Sequence, residues 1–174
     1  WDGRSCRIMV HPERYEINIL KKLKSFLKNR TISVVLWAFL LNTLWEFTQC
    51  VFLYDMWSWP FWKGTIWMWA AVFGDILIVL TLWKGITKTF NSIHFFRGHF
   101  RDYCVLVLIS FLAAIFLEWI AIYWELWSYN ESMPSLNIVG LQVGISPILQ
   151  ITILPALSLF FAEKFQSKAT YDEV

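Results

Sequence analysis

Asn42, Glu46 and Gln49 stand at i, i+4 and i+7 within Leu40–Tyr54, LLNTLWEFTQCVFLY. On a helix that spacing stacks an acid and two amides on one face of an otherwise apolar rod. Asp75, Glu118 and Gln150 each sit in a separate apolar stretch, so every long apolar run carries at least one strongly polar group. An ionisable side chain inside such a run is costly to bury and marks a functional site.

The helices that must position these groups follow from hydropathy and length. Spans are expected at about 31–54, 65–83, 103–124 and 141–162, each meeting the ~17–25 mainly apolar residues that cross a bilayer. The expected fold is all-α: a polytopic membrane protein built as a four-transmembrane-helix bundle over 31–162. Before it, residues 1–30 form a cytoplasmic segment. Ile17, Leu20, Leu23 and Leu27 alternate there with Lys21, Lys22, Lys24 and Lys28, which predicts an amphipathic basic helix lying on the membrane surface. Residues 163–174 form a tail.

Composition agrees. The 174-residue chain is 57% hydrophobic, above the ~45–50% usual for soluble domains. A net charge of +2 leaves no electrostatic footprint for nucleic acid. Fourteen of the 15 Lys and Arg fall in residues 1–30, 84–102 and 163–174, and only Lys63 lies in the opposite connections. The positive-inside rule then places both termini in the cytoplasm. Trp57, Trp59, Trp62, Trp124 and Trp127 collect at the outer ends, as an interfacial aromatic belt does.

At ~1.5 Å per residue from the outer end, Glu46 comes out ~12 Å deep and Asp75 ~15 Å deep. Glu118 lies at ~9 Å and Gln150 at ~14 Å on the same count. The spans alternate in direction, so a shared site in the outer half of the bundle accounts for the agreement. Glu118 and Glu125, seven apart, are expected on one helix face, with Glu125 offering a solvent or proton route inward. Gly74, before Asp75, leaves room for a close approach. Gln142, Ser146 and Gln150 are expected along one face of the fourth span. Pro147 would free the Val143 carbonyl, and Gly140 and Gly144 would pack that span against a neighbour. The connection Glu125–Gly140 is polar and turn-rich, and is placed to cap the site.

Three carboxyls crowded in a low-dielectric bundle cannot all stay ionised, so a neutral acid beside a carboxylate is expected. That pairing suits proton transfer to or from an apolar substrate. Glu46, Asp75 and Glu118 are therefore the candidate catalytic groups. Asn42, Trp45, Gln49, Glu125, Tyr129 and Gln150 are the candidate binding groups. Surrounding Trp and Tyr faces would suit an isoprenoid, sterol or quinone and could stabilise a cationic intermediate. No histidine falls in a predicted span and Cys6, Cys50 and Cys104 have no zinc spacing, so neither metal nor cofactor is expected. Cys50 and Cys104 read as small buried apolar thiols.

Trp45-Glu46-Phe47-Thr48-Gln49 with Leu53-Tyr54, Gly74-Asp75, Trp127-Ser-Tyr129 with Met133-Pro134, and Pro147-Ile-Leu-Gln150 together form a pattern. It resembles that of small four-span membrane proteins of unassigned function, in which WExxQ…LY, GD, WxY…MP and PxxQ are expected. A weaker likeness runs to integral membrane terpene cyclases through Asn42-Thr-Leu-Trp45-Glu46 and Asp75, and to sterol-isomerase-like membrane proteins through Gly74-Asp75. Both likenesses imply that Glu46 and Asp75 handle protons. The leading expectation is binding of, or acid/base chemistry on, an apolar lipid such as an isoprenoid. The alternatives are a proton- or cation-linked transporter, and a non-catalytic subunit or assembly factor of a larger membrane complex. Homo-oligomer formation is left open by the sequence.

Overall fold

Four stripes of inward-facing residues build the bundle. In the computed structural model, which describes residues 29–54, 56, 58–90, 92–97 and 99–171, they lie on helices α1 (Arg30–Leu53), α2 (Phe61–Thr89), α3 (Phe100–Tyr123) and α4 (Ile145–Tyr171). All four are long and apolar enough to cross a membrane. The surface helix expected within residues 1–28, and Cys6 with it, lies outside the described residues.

On α1 the buried residues Val34, Ala38, Asn42, Glu46 and Cys50 recur every four positions. On α3 the stripe is Asp102, Leu106, Ser110, Ala114 and Glu118. Small side chains between larger ones let helix backbones approach, which is how apolar helices pack when no water drives them together. The outward faces are the reverse: Leu44, Phe52, Phe73, Leu77, Leu112 and Phe116 are all exposed.

Helix α4 is the central element. It packs most extensively on α1 and α3, while α2 leans mainly on α1 and meets α3 only sparsely. One end of the bundle is filled by Val34, Ala38, Val72, Val79, Leu106, Leu159 and Ala162. The polar residues lie nearer the other end, beside a two-stranded hairpin.

That hairpin is an addition to the all-α expectation. Strands β1 (Ser135–Ile138) and β2 (Leu141–Gly144) pair antiparallel, with Ile138 opposite Leu141. The two central turn residues, Val139 and Gly140, have φ of 51° and 83°, the left-handed pair that a two-residue hairpin turn requires.

The hairpin corrects several expectations about the fourth span. The helix begins at Ile145, not at residue 141. Gly140 and Gly144 therefore make no helix-packing motif: one closes a turn and the other ends a strand. Gln142 is a strand residue whose side chain accepts from Ser135 at 2.5 Å, so it leaves the face shared by Ser146 and Gln150. Pro147 lies in the first turn of α4, where no intrahelical N–H bond is owed. The helix-interior proline is Pro155, and the carbonyl it leaves without an N–H partner is that of Ile151.

The connection at the opposite end is shorter than expected, because α2 continues to Thr89. It is tied down by Asp102, a fully buried acid whose Oδ2 accepts the His94 backbone N–H at 2.9 Å. His94 and His99 are exposed, as solvated histidines should be.

Candidate functional site

Gln150 joins three helices. From α4, its amide nitrogen donates toward Glu46 Oε1 at 2.8 Å, Asn42 Oδ1 at 3.2 Å and Asp75 Oδ2 at 2.6 Å. The first two acceptors belong to α1 and the third to α2. The Glu46 and Asp75 carboxyls thus converge on one amide nitrogen.

Gln49 completes the centre. Its amide nitrogen donates to Glu46 Oε1 and to Gln150 Oε1, each at 2.8 Å. Its carbonyl accepts from Trp45 Nε1 at 3.1 Å and from Ser146 Oγ at 3.0 Å. Cys50 Sγ donates to Glu46 Oε2 at 3.4 Å, and Asn42 is held by its own donation to the Ala38 carbonyl at 2.8 Å. Asn42, Glu46, Gln49 and Gln150 are all buried, and Asp75 is half-buried on its open side.

Glu118 occupies a second station. Its Oε1 accepts from Trp127 Nε1 at 3.2 Å and from the Tyr129 hydroxyl. Tyr129 is fixed in turn: its hydroxyl accepts the Gly144 N–H at 3.1 Å, and its backbone bridges to Tyr54 at the end of α1. Asn130 donates from its backbone to Leu53 and from its side chain to Phe52. The segment after α3 is thus bound over the end of α1 and reaches down to Glu118. Burial, followed by the charge of Glu118, pushes the Tyr129 phenol above the ordinary tyrosine range, so it remains a donor.

Both stations face one cavity of about 430 Å³, within the size range of small-molecule sites. Its wall takes Glu46, Gln49, Asp75, Glu118 and Gln150 into a lining otherwise rich in Trp, Met, Leu, Ile and Ala. Its exposed lining residues are Trp67 and Ala70 of α2, Leu117 of α3, and Trp124, Leu126 and Ser128 just beyond α3, so the cavity opens between α2 and the end of α3, helices that meet only sparsely. Gly74 lies in the wall, and a Cβ built there meets nothing within 4 Å, so the space beside Asp75 is open. A wider vestibule of about 710 Å³ shares Trp59, Trp67, Leu126, Trp127 and Ser128 with the cavity.

Of the residues expected from sequence to form the site, Asn42, Trp45, Glu46, Gln49, Asp75 and Gln150 form one network. Glu118 and Tyr129 form the second, on the same cavity. Glu125 is the exception. It is exposed, borders only the vestibule, and has a φ of 53°. The Glu125 and Leu126 N–H groups close α3 by bonding the Ile122 and Ala121 carbonyls, the Schellman pattern of helix ends. Glu125 is therefore past the helix, and the seven-residue spacing to Glu118 puts them on no common face.

Two contributors were not foreseen in these roles. Cys50 was expected as an inert thiol, yet it hydrogen-bonds Glu46; Cys104 is exposed instead of buried. Trp127 was expected in an interfacial belt, yet it donates to Glu118. Its position two residues before Tyr129 was the available signal. Among the described residues no His, Cys, Asp and Glu group has a metal-binding arrangement. No family model matches this chain, and no curated protein or solved structure matches it.

Proposed function

We propose that the protein is a multi-pass membrane protein, with both termini in the cytoplasm, whose carboxyl-lined cavity takes an apolar lipid such as an isoprenoid and acts on it by acid/base chemistry. The single observation that carries this reading is the convergence of Glu46 and Asp75 on the Gln150 amide at the polar end of an apolar cavity that opens between α2 and the end of α3. A lateral opening between apolar helices admits a hydrocarbon body directly from a bilayer, without passage through water. At the polar end, a neutral acid beside a carboxylate offers both a donor and an acceptor to the substrate. Glu118, held by Tyr129 and Trp127, supplies a further carboxyl on the opposite wall.

The resemblance to small four-span membrane proteins of unassigned function supports the architecture and leaves the chemistry to the site. The test uses purified protein in lipid nanodiscs, incubated with a membrane lipid extract that is then profiled by mass spectrometry. Wild type converts or retains an isoprenoid-type lipid. Glu46→Gln and Asp75→Asn abolish conversion with the fold intact by circular dichroism. Equal lipid conversion by wild type and both variants removes the enzyme reading.

The vestibule that adjoins the cavity favours a second reading, proton- or cation-linked transport, since it links the buried acids to the hairpin end. Flux into proteoliposomes that depends on an ion gradient distinguishes it from lipid chemistry.

A further inference from the structure

The cavity is rich in carboxyls, and no basic side chain is among its described lining residues. Gln150's amide nitrogen has two hydrogens, yet three oxygens from Asn42, Glu46 and Asp75 face it. Three acids, Glu46, Asp75 and Glu118, border the same space, and among its described lining residues there is no Lys, Arg or His. A buried acid with no protein cation beside it either holds a proton or pairs with a cation brought by a ligand.

The remaining wall narrows the chemistry of that cation. Tyr54, Trp59, Trp67, Trp124 and Trp127 line the cavity, and the other lining residues are mainly apolar. Aromatic faces attract large, weakly hydrated cations and replace the water such ions lose on burial. The Lys63 ammonium already sits 4.0 Å from the centre of the Trp59 ring at the vestibule. A small metal ion would leave most of the ~430 Å³ unfilled, whereas an amphiphile would occupy both the wall and the acids.

We propose that the cavity takes a hydrophobic cation: an apolar body bearing a quaternary or protonated nitrogen, seated between the Glu46 and Asp75 carboxyls and the aromatic wall. This rests on the cavity being the ligand site proposed above, and it adds a charge to the class of lipid accepted there.

The probe is a tritiated benzyl(octyl)dimethylammonium, and its control is the neutral isostere with a quaternary carbon in place of nitrogen. Each is equilibrated with the full chain in lipid nanodiscs, and binding to empty nanodiscs is subtracted. Wild type binds the ammonium at least tenfold more tightly than the isostere. Glu46→Gln/Asp75→Asn loses that preference, while Glu131→Gln, on the exposed loop, keeps it. The wild-type ratio needs no variant to fold and decides the cation by itself, while the double variant decides its assignment to these acids.

Equal binding of the two probes overturns the cation and leaves an apolar-lipid cavity standing. So does binding of neither probe when native mass spectrometry finds a retained neutral isoprenoid-type lipid. A preference that survives in the double variant overturns the assignment to these acids. Absence of every probe and every retained lipid overturns the cavity reading along with the cation.

Discussion

Tyr129 is the residue on which the second half of the site depends. Its hydroxyl donates to Glu118 and accepts from Gly144, so Tyr129→Phe removes both and leaves a buried carboxyl with one fewer donor. The expected cost is about 1–3 kcal/mol, read from denaturant or thermal unfolding in detergent. The pH dependence has a definite sign. The folded-state value of Tyr129 lies above its unfolded one, so its contribution is full below pH ~10 and is lost as pH rises through the folded value. The stability gap between wild type and Tyr129→Phe should thus close under strong alkali. Gly144 is coupled to this contact. A Cβ there would lie 3.0 Å from the Tyr129 ring, so Gly144→Ala should cost about 1–3 kcal/mol by overpacking. In the Tyr129→Phe background the penalty should change, because the two residues touch.

At the scale of elements, the hairpin turn carries backbone strain that a better residue would relieve. Val139 is β-branched and 87% exposed at a φ of 51°, where asparagine is the favoured partner of a following glycine. Val139→Asn should stabilise the hairpin by about 1 kcal/mol. Its effect on ligand binding should be negligible, since the turn is remote from the cavity wall. Helix α2 offers a complementary experiment. Gly74 sits in mid-helix beside Asp75 with open space where a Cβ would go. Gly74→Ala should raise stability by about 0.5–1 kcal/mol through helix propensity. Gly74→Leu should fill part of the cavity and displace retained lipid in native mass spectra while the bundle stays folded. A Leu variant that still retains the wild-type lipid complement would place the ligand elsewhere.

For the whole molecule, the proposed orientation sets the hairpin end outside and the Asp102 end inside. Single cysteines at Ser132 and Lys88, both exposed, test it in a background lacking Cys6, Cys50 and Cys104, with a membrane-impermeant maleimide on intact cells. The Ser132 site should label at once and the Lys88 site only after permeabilisation. Reversed labelling would overturn the topology. The inside-out distribution of side chains fits this setting. Large apolar groups cover much of the helix exterior, while Asn42, Glu46, Gln49, Glu118 and Gln150 are buried between the helices.

The sequence alone determined the four helices, because twenty or so apolar residues in a row leave the backbone few other ways to satisfy its own hydrogen bonds. Helical periodicity also joined Asn42, Glu46 and Gln49 on one face, and matched depths brought Asp75, Glu118 and Gln150 to their level. Only the tertiary structure decided which groups touch. Gln150 brings Glu46 and Asp75 onto one amide nitrogen, while Glu118 is held apart by Tyr129 and Trp127, because rotation about each helix axis is set by packing against neighbours. Where local backbone chemistry took over, counting along a helix failed. Glu125 lies in a left-handed helix cap, and residues 141–144 pair with 135–138 in a hairpin whose turn needs two positive φ angles. Val139 and Glu125 disguise those turns, since neither is the glycine or asparagine that would have announced them.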